Sequence, residues 1–309
     1  MFHILANLDQ EERWLGTTLP EHIQRRLAVM ATLLQALAPE DQQVTVHVGV
    51  PIRDPIVSEV WNPPMVDHRP PPRVDLAWCD PSAKQFNDRR FALGLAQQFG
   101  CALPRAAALT SIEAIDAHLA AGPDGPWVLK APWSSAGRHR VFSIGRKLEG
   151  EHRVAAERLL ARTGALVFEP WCERICDVAV CGIAGVEVTE PHEILNGPRG
   201  NFFGIELRPN VLEVGEHDQL VTTAERVAQQ LADAGYRGPF GIDAFVHRVD
   251  GQRVLHPLCE INARHTFGHV ARALGGRFVS SRLEFAHHMT TKPHLRLVAE
   301  AHAIKAWIV

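Results

Sequence analysis

The sequence predicts a mixed α/β (α+β) protein made of three consecutive units, and three observations carry that prediction. In the first hundred residues short apolar runs with strand character alternate with a stretch of helical spacing. The next sixty or so read strand, loop, strand, helix, strand. Further on, Asp250-Gly251 joins two long alternating runs, a strong hairpin signal, with a row of polar residues along one side. At 309 residues the chain is long enough for such units to share a substantial core. The expected divisions are an α/β unit over 1–105, a small lid-like unit over 106–170 and an antiparallel-sheet unit over 171–309.

In the first unit Phe2 to Ala6 is a short apolar run. Ile23, Leu27, Met30, Leu34 and Leu37 recur at helical spacing and give one apolar stripe. Val44 to Val50 alternates as a strand does. The stretch NPPMVDHRPPPR from Asn62 to Arg73 is too rich in proline for helix or central strand and reads as a surface connection. A strand over Val74–Trp78 and a helix from about Asn87 to Gly100 follow, the glycine standing at the natural stop.

The second unit opens on Thr110 and Glu113, spaced as a capping box for a helix reaching Ala121. WVLKA (127–131) is strand-like, WSSAGRHR is a loop, VFSI (141–144) returns as a strand, and a helix near 151–163 precedes the strand ALVFE (165–169). In the third unit a strand covers 177–183, and a Gly/Pro/Asn-containing stretch over 196–210 reads as irregular. A helix near 219–234 stops at Gly235, strands cover 240–248 and 253–262, and helices are expected beyond them.

Composition narrows the function classes. The net charge of −3, with both signs spread along the chain, carries no nucleic-acid footprint. No run of about 18 apolar residues is present to span a membrane, and the first residues show no secretory pattern, so a cytoplasmic protein is expected. Cys172, Cys176 and Cys181 lack zinc-site spacing, and the six cysteines read as reduced thiols in apolar runs.

The informative stretch is GPFGIDAFVHRVDGQRVLHPLCEINARHTFGH (238–269). With Asp250-Gly251 at the turn centre, Asp243 falls opposite residue 258, and strand alternation puts Asp243, Glu260, Asn262 and Arg264 on one side. Phe240, Ile242, Ala244, Val246, Cys259 and Ile261 fall on the other, while Leu258 and Phe245 share the polar side and cover it in part. A charged, solvent-facing strand is one reading of that row. The other is a cation site, because two neighbouring carboxylates repel without one and Asp, Glu and Asn oxygens suit Mg2+ completed by phosphate oxygens.

The run FGIDAF…CEINARHTFGH resembles the metal-binding end of the ATP-grasp superfamily, in which an Asp on one strand and Glu-x-Asn-x-Arg on the next hold Mg-ATP. The resemblance covers roughly 85 to 290 and implies Asp243, Glu260 and Asn262 as metal ligands and Arg264 as the arginine that steadies the transferred group. The Asp-to-Glu spacing is longer than in compact members, and Pro257 is placed to add a bulge. Upstream, Lys130 resembles the strand lysine that reaches the nucleotide phosphates, a surface lysine at a strand end being the lesser alternative. Ser134, Ser135 and Gly137 lie in a loop similar to the small-residue flap that closes over the triphosphate. VFEPWCERICDVAV resembles the adenine hinge, with Glu169, Trp171 and Cys172 at the base and Asp177 at the ribose; Trp171 reads equally well as a core aromatic. Where many members carry a phosphate-binding lysine before a helix this chain has Arg89 and Arg90, and either, or neither, could take its place.

The resemblance implies an ATP-grasp fold, with a pre-ATP-grasp domain, a lid and a C-terminal antiparallel subdomain, and an ADP-forming ligase that uses ATP and Mg2+. A carboxylate is activated as an acyl phosphate and joined to an amine, the substrates being small molecules or peptides. An ATP-grasp kinase and a non-catalytic ATP-binding regulator are the alternatives. Oligomeric state stays open, a homodimer included.

Overall fold

A computed structural model describes residues 1–135, 137–197, 201–286, 296–301 and 304–309. In it the chain opens with a parallel sheet of β1 (Phe2–Leu5), β2 (Val44–His47), β3 (Met65–Asp67) and β4 (Leu76–Ala77), in the order β3-β2-β1-β4. Between β1 and β2 run a short helix α1 (Gln10–Trp14), then α2 (Glu21–Ala31), which tightens into a 3-10 helix over Thr32–Leu37. One apolar stripe thus spans two helix types, because Thr32 turns its hydroxyl back onto the Val29 carbonyl (2.7 Å) at the change of pitch.

A 3-10 turn over Pro81–Gln85 leads into α3 (Arg89–Phe99). Asp88 caps this helix through the Arg90 amide, and Gly100, at φ +73°, ends it in the left-handed conformation that glycine adopts without penalty. The second sheet contains β5 (Ala107–Leu109), β6 (Pro126–Lys130), β7 (Arg140–Ile144) and β8 (Leu166–Pro170), in the order β5-β8-β6-β7. Its helices are α4 (Ile112–Ala120) and α5 (Gly150–Thr163). The cap of α4 is Ser111 rather than Thr110: Ser111 is the extended residue whose hydroxyl accepts the Ala114 amide.

The large sheet follows the order β14-β13-β9-β11-β12-β15-β17-β16 among the described residues, with β10 on the flank of β9. Its strands are β9 (Arg174–Ile183), β10 (Glu187–Val188), β11 (His192–Asn196), β12 (Phe202–Glu206), β13 (Pro239–Val249), β14 (Gln252–Asn262), β15 (Arg282–Ala286), β16 (Arg296–Ala301) and β17 (Ile304–Ile308), with helices α6 (Val214–Asp233) and α7 (Phe267–Phe278). Two expectations are corrected here. The stretch 196–210 holds a sheet strand, β12, and beyond α7 the described chain is strand, not helix. These strands are short, and they take their conformation from neighbours such as β15, which pairs with β12 and β17.

Three apolar clusters fix the layout. One joins β1, β2 and the 3-10 helix (Ile4, Leu33, Leu34, Val46) to α7, β15 and β17 (Leu274, Leu283, Ala306). A second packs α3 and α6 on β9, β13 and β14. A third holds α4 and α5 against Trp127, Leu129, Leu166 and Phe168. By strand alternation Lys130 and Glu169 then project from the opposite face of the second sheet.

Candidate functional site

The hairpin β13–β14 corrects its expected register. Asp243 pairs directly with Glu260, and Phe245 with His256. One residue of β13 therefore faces three of β14, a bulge built around Pro257, whose missing N–H suits a break in the ladder. The two extra residues leave Glu260 and Asn262 on the expected side but exchange the residues inside the bulge. Leu258, expected on the polar side, is in the core at 2% exposure, and Cys259, expected in the core, lies 4.0 Å from the Lys130 ammonium. The rest of the floor (Phe240, Ile242, Ala244, Val246 and Ile261) is core as read.

On the site side Asn262 links the row together. Its amide oxygen accepts from Arg264 Nη2 (2.8 Å), and its side chain lies near enough to Asp243 to favour that carboxylate's charge. Burial and then the facing Glu260 raise the pKa of Asp243 above the usual carboxylate range. A divalent cation would relieve both costs, so two carboxylates and an amide oxygen fit one by their chemistry. Among the described residues no cluster of three or more His, Cys, Asp and Glu is placed to hold a metal.

Around this row stand three cations, Arg89 buried and Lys130 and Arg264 partly so. Lys130 pairs with Glu169 at 2.5 Å, joining β6 and β8. Burial disfavours the ammonium, but Cys259 and Glu169 more than offset that, and its pKa is raised; Glu169, itself buried, is held low by Lys130. Arg89, not Arg90, enters the site. Its Nη2 donates to both oxygens of Glu260 at 2.9 Å, and Nη1 donates to the Ala131 carbonyl and the Ser134 hydroxyl, both at 2.8 Å. Arg90 turns back to Asp88 and stacks toward Trp133. Arg264 Nε donates to Glu11 at 2.6 Å.

Described residues between β6 and β7 contact this cluster and α1. Ser134 is buried under Arg89, and Ser135 accepts from Arg138 (2.6 Å). Gly137 adopts φ +69°, and a Cβ there would press on the Arg140 guanidinium at 3.3 Å. Arg138 and His139 both reach Glu12 on α1, each at 2.7 Å. In the hinge Trp171 is no core aromatic: it is 40% exposed and stands edge-on to Phe142 at 4.9 Å. Cys172 is half-buried near Glu169 and Lys130. Asp177 accepts from Arg174 (2.5 Å) and Asn196 (2.9 Å).

The structure thus gathers Lys130, Ser134, Glu169, Asp243, Glu260, Asn262 and Arg264 through Arg89 and Cys259. Sequence reasoning missed Glu11 and Glu12, which are 4% and 2% exposed. Their signal was a pair of acids in the short helix that follows the first strand, where a surface helix and a site wall look alike.

No family model and no curated protein matches this sequence. Solved structures do. The biotin carboxylase domain of Hydrogenobacter thermophilus 2-oxoglutarate carboxylase aligns over 72% of this chain and 61% of that one, with 13% identity and a TM-score of 0.50. The chain has the ATP-grasp fold. Campylobacter jejuni biotin carboxylase aligns over 60% of this chain at 18% identity and a TM-score of 0.48, and a D-cycloserine synthetase over 66% at 16% and 0.46. The chain spans 42% of the Campylobacter structure and 74% of the synthetase. Within the ATP-grasp fold this chain keeps the expected α/β class, with a parallel first sheet and an antiparallel third. No helix among the described residues is long and apolar enough to cross a membrane.

Proposed function

We propose that the chain is an ADP-forming ligase that activates a carboxylate with ATP and joins it to an amine. The observation that carries the reading is the direct pairing of Asp243 with Glu260, flanked by Asn262, Arg264, Arg89 and Lys130 in one partly buried cluster. Paired acids ringed by three largely enclosed cations suit a polyphosphate better than an apolar ligand. The Hydrogenobacter domain, which shares the fold, holds MgADP and bicarbonate, and that supports a nucleotide and an acid as ligands here.

In this reading Asp243, Glu260 and Asn262 hold Mg2+, which neutralises phosphate charge. Lys130 turns from Glu169 to a phosphate oxygen, and Ser134, Ser135 and Gly137 cover the triphosphate. Glu169, Trp171 and Cys172 line the base, with Asp177 at the ribose. A substrate carboxylate oxygen attacks the γ-phosphorus and ADP leaves. An amine then attacks the acyl carbon and phosphate leaves, the surplus proton passing to solvent. Arg264 stabilises charge on the moving phosphoryl group. Three units over 1–105, 106–170 and 171–309 supply acceptor site, lid and metal site; the substrates are small molecules or peptides, and the setting is the cytoplasm.

ADP release from the full chain, screened over paired carboxylic acids and amines, tests this. The expected result is release that requires both partners and a product carrying the mass of the amide. Release with the acid alone would make it a kinase, and ATP binding without release under any pairing would make it a non-catalytic binder.

A further inference from the structure

Arg89 departs from a simple phosphate-binding role. Buried at 8% exposure, it fastens three segments at once: α3, which it begins; the base of the flap, through Ala131, Ser134 and its own amide to the Pro132 carbonyl; and β14, through Glu260. Both Glu260 oxygens are taken by one nitrogen, Nη2, which also donates to the Ser134 carbonyl at 3.1 Å. The carboxylate proposed as a cation ligand is thus already neutralised by a guanidinium that holds the flap base. Asp243, directly across the hairpin, forms no ion pair among the described residues. The two acids are not equivalent: Glu260 is paired directly with a guanidinium, whereas Asp243 feels Arg264 only from beyond Asn262.

We propose that Arg89 is a positioning residue that exchanges for a divalent cation at Glu260 and thereby couples filling of the cation site to release of the flap base. The inference rests on the ligase reading only for the identity of the cation site. With the cation absent, Arg89 keeps Glu260 from facing Asp243 as a bare like charge and holds residues 131–134 down. When Glu260 turns to a cation, Nη2 loses its charged partner and retains only the Ser134 carbonyl. The flap then loosens from its root, so nucleotide enters a site whose lid has been unfastened by the cation. A buried charged hydrogen bond that must be given up also sets a threshold against weak cation binding.

The test is amide hydrogen exchange in the full chain without nucleotide. The reporters are the Ala131 amide, bonded to the His139 carbonyl, and the Arg138 amide, bonded to Ser135. Removing Glu260's charge with Glu260→Gln is expected to speed their exchange roughly tenfold, the loss of one charge-assisted bond in a local opening. Asp243→Asn, which touches the same row but not Arg89, is expected to leave them within about twofold. MgCl2 alone, titrated onto the wild type, is expected to reproduce the loosening, with no further effect on Glu260→Gln. Should Glu260→Gln fail to fold, Arg89→Lys serves: it keeps the charge but cannot span Ser134 and Glu260 together, and it should loosen the same amides. Unchanged protection in a folded Glu260→Gln or Arg89→Lys overturns the coupling, as does equal loosening in Asp243→Asn or no response to MgCl2. Coupling without any ATP turnover would sink the ligase reading and leave this one standing; turnover without coupling does the reverse.

Discussion

The small sheet and the β13–β14 hairpin face the same site but reach it by different routes. In the small sheet β6 and β8 pair without irregularity, and Trp127, Leu129, Leu166 and Phe168 go to the core while Lys130 and Glu169 go to the site. In the hairpin the ladder breaks between Asp243 and Phe245, and the bulge sends Leu258 inward and Cys259 toward Lys130. Regular alternation carries a side-chain assignment along a whole strand; a bulge carries it only to the next break. The hairpin gains by this a direct Asp243–Glu260 pair, where an unbroken register puts residue 258 opposite Asp243.

The largest effect is expected on the regular side. Lys130→Met should cut ATP-dependent turnover by roughly two to three orders of magnitude, the scale of a lost transition-state donor. It should also destabilise the chain by about 3–5 kcal/mol, because Glu169 is left buried without its cation. Adding Glu169→Gln should restore most of the stability, measured by chemical denaturation, but not the ADP release. Recovery of both would make the pair structural alone.

On the hairpin side Arg264→Lys keeps the charge and loses the two-pronged donor. Turnover should fall by about two orders of magnitude while the ATP dissociation constant stays within a few-fold. A parallel fall in affinity and rate would make Arg264 a binding residue instead.

The bulge itself is tested by its two exchanged residues. Leu258→Ala should cost about 2–5 kcal/mol of stability, whereas Cys259→Ala should cost about 1 kcal/mol or less. Equal costs would argue for the unbroken register. A smaller effect concerns His256, opposite Phe245, whose pKa burial depresses to about 4 despite the nearby Glu169. The unfolded histidine binds a proton near 6.5 and the folded one only near 4, so stability falls as pH drops through that window. His256→Gln should flatten the melting temperature over pH 7 to 4, and an unaltered slope would show that other groups dominate.

Much of this was legible because it depends on local pattern. The Asp250-Gly251 turn, the α3 stop at Gly100 and the Lys130 strand follow from glycine conformation and alternation. The parity of Asp243, Glu260 and Asn262 survived because the bulge inserts an even number of residues. What could not be read depends on partners far along the chain. β12 and β15–β17 are strands because of their neighbours, and Glu11 and Glu12 matter because Arg264, Arg138 and His139 come to meet them. The choice between Arg89 and Arg90 was likewise settled by packing: one reaches the flap at Ser134 and the other pairs back to Asp88, the cap of its own helix.

The central claim is that the bulged hairpin forms a cation-dependent ATP site, and calorimetric titration of ATP into the full chain tests it most directly. With MgCl2 the affinity should exceed that in EDTA by roughly tenfold or more, since the acidic row repels a bare triphosphate. Asp243→Asn should abolish most of that difference. Equal ATP affinity in MgCl2 and in EDTA, in a folded wild-type chain, would contradict the account.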